Sequence, residues 1–124
     1  MEIVKINATE DTPKVTLDHE NRIFEISGRS LPEDVVVFYQ PVINWLEELE
    51  KDPIENIEFS IRLEYFNTAS SKLILDILLK LEDISQKGIP LKVKWYFVST
   101  DSDMKEAGEE YSEIVSVPFD LVEY

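Results

Sequence analysis

The chain has 124 residues, of which 26 are Asp or Glu and 12 are Lys or Arg, so its formal net charge is −14. A surface that grips nucleic acid or anionic lipid needs an excess of Lys and Arg, so this balance argues against both kinds of partner. Cysteine is absent, which excludes disulfides, zinc–thiolate sites, iron–sulfur clusters and a Cys nucleophile and points to a reducing, cytoplasmic location.

The start of the chain is charged and does not read as a signal peptide, and no window approaches the ~18 consecutive apolar residues of a membrane span. With 44% apolar residues the chain can bury a self-sufficient core, and no Pro/Gly/Ser-rich stretch divides it, so a single domain over residues 1–124 is expected.

In chain order, Ile3, Val4 and Ile6 suggest a short strand that ends before Thr12-Pro13. Residues 14–17 and 22–27 are β-rich runs joined by Asp18-His19-Glu20-Asn21, a polar link of hairpin length. Ser30-Leu31-Pro32-Glu33 matches a capping box, in which Ser30 accepts from the Glu33 amide and Glu33 reaches back, so a helix is expected to begin there. Val35, Phe38, Tyr39, Val42, Leu46 and Leu49 recur at helical spacing through Glu50 and form its apolar stripe. Pro41 lies inside that stripe. Lacking an N–H, it leaves the Val37 carbonyl without its helical partner, so the helix should bend near Val37 or restart at Pro41.

Residues 57–65 alternate, with Ile57, Phe59, Ile61, Leu63 and Tyr65 on one face and Glu58, Ser60, Arg62 and Glu64 on the other. Residues 91–97 repeat the pattern, with Leu91, Val93, Trp95 and Phe97 inward and Lys92, Lys94 and Tyr96 outward. Between them, residues 68–86 place Leu73, Ile74, Ile77, Leu78, Leu81 and Ile84 at helical spacing before Gly88. A strand–helix–strand unit of this kind makes its two strands parallel, with a right-handed crossover.

A sheet buried on both faces shows continuous apolar runs in its central strands, and neither strand has them. The expected fold is therefore α/β in two layers, a mixed β-sheet with about three helices on one face and a charged, open face opposite. Residues 101–111 read as a third, acidic helix capped by Ser99 or Thr100, and residues 115–122 as a closing strand whose Pro118 suits an edge.

Catalytic constellations are not apparent: there is one His, no Gly-rich phosphate loop, no G-x-S-x-G elbow and no H-E-x-x-H. His19, between Asp18 and Glu20, reads as a solvated turn residue. Asp101-x-Asp103 lacks the later ligands and the Gly of a calcium loop, so no metal site is assigned, and the acidic run through Glu113 reads as a solvated face. Trp45 and Trp95 fall on apolar faces and read as core. No cofactor and no enzymatic activity are expected. The alternative of another class is an acidic, divalent-metal-dependent enzyme or small-ligand module.

The junction Tyr65-Phe66-Asn67-Thr68-Ala69-Ser70-Ser71-Lys72 joins the end of a central strand to the start of the crossover helix, where function gathers in open α/β sheets. N-capping by Asn67 or Thr68 accounts for its polar residues, with ~1 kcal/mol of helix stabilisation. The first-turn amides and the positive end of the dipole also favour an added dianion, so the functional reading is a phosphorylated hydroxyl, screened by Lys72 one turn on.

Four blocks carry a resemblance that spans nearly the whole chain: Thr9-Glu10-Asp11-Thr12-Pro13-Lys14-Val15, Gly28-Arg29-Ser30-Leu31-Pro32-Glu33, Glu64 through Lys72, and Met104-Lys105-Glu106-Ala107-Gly108-Glu109-Glu110-Tyr111. They resemble the SiaC-like bacterial regulatory phosphoproteins, whose fold is similar to the STAS domain of anti-sigma-factor antagonists. The resemblance implies a substrate of a partner serine/threonine kinase and of a PP2C-type phosphatase, with the phosphoacceptor of the Asn-Thr-x-Ser junction falling on Thr68. It also implies an unphosphorylated form that binds a downstream partner such as a diguanylate cyclase, which the best-described members activate. The surface expected to meet that partner is the junction itself: Asn67, Thr68, Ser70, Ser71 and Lys72. Within the binding class, the alternative is an anti-sigma-factor antagonist that frees a transcription factor through the same Thr68.

Overall fold

The alternation of apolar and polar residues in the strands is answered by a sheet with one covered and one open face. In the computed structural model, which describes residues 2–124, six strands form one mixed sheet in the same order as in the chain. The elements are β1 (Val4–Ile6), β2 (Lys14–Asp18), β3 (Ile23–Ser30), α1 (Val35–Lys51), β4 (Ile57–Phe66), α2 (Thr68–Gln86), β5 (Leu91–Phe97), α3 (Ser102–Ile114) and β6 (Phe119–Glu123). β1, β2 and β3 are antiparallel neighbours; β3, β4, β5 and β6 are parallel neighbours joined through the three helices. Each right-handed crossover moves the chain one strand onward in the same direction, so all three helices land on one face.

Under them, Leu17, Ile26, Phe59, Ile61, Val93 and Trp95 from the sheet meet Tyr39, Leu46, Leu49, Ile74, Ile77 and Leu78 from the helices, all essentially inaccessible to solvent. On the open face Glu58 lies 3.4 Å from Lys92 and 3.5 Å from Lys94, and Lys92 is 3.8 Å from Asp120. These pairs are exposed, and each is worth little on its own. The Asp18 carboxylate closes the β2–β3 hairpin. It accepts from the amides of Glu20 and Asn21 at 3.0 Å each and from the Asn21 side chain at 2.8 Å, and these bonds hold it ionised below the usual carboxylate range.

Several local expectations change. Ser30 does not cap α1. It is the last residue of β3, paired with Phe66 and fully buried, and the cap is Asp34, whose Oδ1 accepts from the Val37 amide at 3.1 Å. The Ser30 hydroxyl is committed to Tyr39 and Ser70 and so is not free to accept from the Glu33 amide, and the helix starts only at Val35. Likewise α3 is capped by Asp101, not Ser99 or Thr100: its carboxylate accepts from the Met104 amide at 3.0 Å. α1 runs unbroken through Pro41. The Val37 carbonyl that proline leaves without a partner belongs to a residue 67% exposed, where water can take the bond. β6 begins only at Phe119, because Val115 and Val117 are buried in the core and the Pro118 carbonyl accepts from Val93.

Tyr65 also changes face. Between Gly28 and Arg29 on β3, the partner on β4 jumps from Leu63 to Tyr65, so Glu64 is a bulged residue and the alternation inverts beyond it. Tyr65 is 47% exposed on the open side, and Phe66 turns inward to meet Trp95 edge-on at 6.1 Å.

α3 sits on the sheet through Gly108, where an added Cβ meets Trp95 Cδ1 at 2.4 Å, Leu121 Cδ2 at 2.6 Å and Trp95 Nε1 at 2.7 Å. Trp95 is fully buried and tied by Nε1 to the Met104 carbonyl at 3.0 Å, so it has nowhere to go. Gly108→Ala is expected to lower unfolding stability by about 1–3 kcal/mol despite the better helix propensity of Ala. Urea titration followed by tryptophan fluorescence measures it, and an unchanged midpoint contradicts this packing.

Candidate functional site: the start of α2

The Glu64 bulge sets the direction in which β4 delivers the chain into α2. Asn67 is extended (φ −86°, ψ 174°), and its Oδ1 accepts from the Ser70 amide at 2.8 Å, a regular N-cap. Thr68 follows as the first helical residue and is exposed, as is Lys72 one turn later on the same side of the helix. The Ser71 hydroxyl donates to the Thr68 carbonyl at 2.6 Å.

Beneath this exposed turn lies a buried chain of hydroxyls. Ser70 donates to the Ser30 carbonyl at 2.9 Å, and Ser30 donates to Ser70 Oγ at 2.8 Å. The Ser30 hydroxyl, its proton so spent, takes its other bond from the Tyr39 phenol at 2.6 Å. The Ser30 carbonyl also accepts from the Asn67 amide at 3.1 Å. On the other flank, Tyr111 of α3 donates to the Ser71 carbonyl at 2.8 Å. Burial pushes both phenols up to about 12.

The remaining wall is residues 9–13. Thr9 Oγ1 accepts from the amides of Asp11 and Thr12, and the loop's carbonyls take Arg29 Nε (Glu10, 3.2 Å) and the Leu31 amide (Asp11, 2.6 Å). Gly28 packs beside Pro13, and its φ of +114° is a backbone conformation that other residues rarely adopt. Four blocks far apart in the sequence thus assemble around the first turn of α2.

Of the junction residues, Thr68 and Lys72 are exposed, Asn67 and Ser71 are partly buried, and Ser70 is completely buried. Ser70 is therefore removed from the expected partner surface, because its hydroxyl is committed to Ser30. His19 lies in the hairpin link at the opposite end of β3. Among the described residues no three His, Cys, Asp or Glu side chains converge so that they could hold a metal ion, and no helix is long and apolar enough to cross a membrane. The roles of Tyr39, Tyr111 and Ser30 were missed by sequence reasoning. A tyrosine within an apolar stripe and a serine at an inward strand position were the available signals.

An exposed threonine thus opens a capped helix that follows a central strand of an α/β sheet, above a layer of buried hydroxyls. The chain belongs to the SiaC family of regulatory phosphoproteins, whose model matches residues 6–124. An uncharacterized protein of Pseudomonas aeruginosa is 33% identical over 119 residues, covering 96% of this chain and 94% of its own. Crystalline apo-SiaC of Pseudomonas aeruginosa is 32% identical, with a TM-score of 0.89 over 98% of this chain and 99% of that one. The same figures hold for SiaC in a complex where it is the activator of the diguanylate cyclase SiaD from Pseudomonas aeruginosa.

The buried hydroxyl chain requires a neutral Tyr39. With its pKa raised from 10.0 unfolded to about 12 folded, Tyr39 contributes stability that is complete below the unfolded value and lost as pH climbs through the folded one. Tyr39→Phe is expected to cost about 1 kcal/mol near neutrality and to flatten the alkaline decline, with Tyr111 supplying what remains. Urea midpoints across that window test this, and an alkaline decline identical to that of the parent protein rejects it.

Proposed function

We propose that this chain is a cytoplasmic phospho-switch without catalytic activity of its own. Thr68 is phosphorylated by a partner serine/threonine kinase and dephosphorylated by a PP2C-type phosphatase, and the unphosphorylated form binds and regulates a diguanylate cyclase. The observation that carries this reading is the exposure of Thr68 as the first residue of α2, in a member of a regulatory phosphoprotein family. The activator role of SiaC toward SiaD supports the class of downstream partner.

A phosphate on Thr68 has a local reception. The Asn67 and Ser70 amides are spent on Ser30 and Asn67, so the first-turn amides of Thr68 and Ala69 are the ones it meets, with Lys72 at i+4. The isolated protein therefore tolerates the dianion and stays folded. A partner shaped to Asn67, a bare Thr68 hydroxyl, Ser71 and Lys72 does not, because the phosphate must be desolvated or displaced. A loss of about 3 kcal/mol there weakens binding more than ~100-fold.

Thr68→Ala should fold, resist phosphorylation and bind the cyclase, whereas stoichiometrically phosphorylated protein should fold and fail to bind. Calorimetric titration of the cognate cyclase with both unmodified and phosphorylated protein decides the matter. Equal affinities return Thr68 to the role of a helix residue.

A further inference from the structure

The open face of the sheet carries a charge pattern unlike the rest of the molecule. Lys5, Lys14, Arg29, Arg62, Lys92 and Lys94, half of the 12 basic residues, occupy its outward ladder positions beside the acids Asp18, Glu25, Glu58 and Asp120, whereas most of the 26 acidic residues lie elsewhere. Arg62 stands near the middle of it. Its guanidinium lies 4.7 Å from the centre of the Tyr96 ring and 5.1 Å from that of Tyr124, and the two rings meet edge-on at 5.9 Å. On the neighbouring strand Arg29 lies 5.5 Å over Tyr65.

Among the described residues neither arginine has a carboxylate within 4.0 Å, although carboxylates outnumber cations more than two to one. Arg29 gives its Nε to the Glu10 carbonyl at 3.2 Å, and Arg22 is committed more fully to the fold, donating to the carbonyls of Glu55 and Asn56 at 2.6 Å each. Both tyrosine rings lie within cation–π distance of the Arg62 guanidinium, and among the described residues its N–H donors take no hydrogen-bond partner.

We propose that the patch formed by Arg62, Tyr96, Tyr124, Arg29 and Tyr65 docks an acidic segment of a protein partner, its carboxylates taken by the arginine forks. Arg and Tyr are the residues that dominate protein–protein interfaces, and an arginine fixed on an aromatic platform loses little freedom when it pairs with a carboxylate. The patch is the flat face of a sheet rather than a concavity of the kind that encloses small ligands; a cavity of about 410 Å³ that touches Glu58 and Lys92 lies at the other end of the strands, beside Pro90. A net charge of −14 opposes an extended polyanion such as nucleic acid or an anionic bilayer, and a second copy of the chain, which meet the whole molecule's field. A short acidic segment meets only the local cluster of bases on this face. The proposal does not depend on Thr68.

A photo-crosslinking residue at Ser27, which pairs with Arg62 across the β3–β4 ladder, tests it in the protein's own cells, with Leu79 on the helical face as the control position. The Ser27 adduct should contain a peptide dense in Asp and Glu, identified by mass spectrometry and missing from the Leu79 sample. Arg62→Glu should lower its yield about tenfold or more, as at an interface hot spot, and Arg62→Gln should lower it less. Replacing the acids of the captured segment with Arg should restore the adduct in the Arg62→Glu protein.

Absence of a Ser27 adduct, a captured segment without acids, an adduct on nucleic acid or lipid, or indifference to both Arg62 variants overturns the proposal. Circular dichroism checks that the variants are folded. Thr68 phosphorylation, read by intact mass in the same samples, reports on the switch separately, so failure of either idea leaves the other standing.

Discussion

Ser30 is the node on which the start of α2 depends. Its carbonyl accepts from the Asn67 amide and the Ser70 hydroxyl, and its own hydroxyl joins Ser70 to Tyr39, so one residue at the end of β3 ties together α1, β4 and the first turn of α2. In a fully buried place, every donor that loses its acceptor costs its desolvation, which is why the arrangement is all or nothing. Thr68 is presented on a rigid base because the residue two positions on is anchored to a neighbouring strand. The tyrosines matter for the same reason: Tyr39 closes the network from α1, and Tyr111 holds the next carbonyl from α3.

Electrostatics divides the molecule differently from packing. The three helices carry 11 of the 26 acids, and the open face of the sheet holds half of the bases, with Lys92 and Lys94 gathered around Glu58 and with Arg62 beside tyrosine rings. One phosphate adds about −1.5 to −2 to a chain already at −14, a small change in the overall field. A phosphate on such a chain acts by contact, because long-range attraction has little left to gain and salt screens it beyond roughly 10 Å.

Much of the architecture was legible locally. Alternation in β4 and β5 revealed one covered face, and the apolar spacing of residues 68–86 and 91–97 located α2 and β5 with the observed bounds. The junction stood out for the same local reason, since a run of capping residues after a strand marks a helix start. Errors arose where a local pattern had two readings. Ser30 and Glu33 have the spacing of a capping box, yet the Ser30 hydroxyl is claimed by Tyr39 and Ser70. Tyr65 continues the alternation in sequence, yet the bulge at Glu64 turns it outward.

The sequence by itself determined the period of each element, the acid excess, the absence of thiol chemistry and the position of a hydroxyl cluster at a helix start. Those properties depend on neighbours within a few residues, so they can be read in one dimension. Tertiary structure alone decided the strand order that sends all three helices to one side, the burial of Ser70 beneath exposed Thr68, and the placing of Arg62 on Tyr96 and Tyr124. Each of these joins residues from different strands and helices. Pairing register and packing choose such partners, and nothing in the local sequence names them.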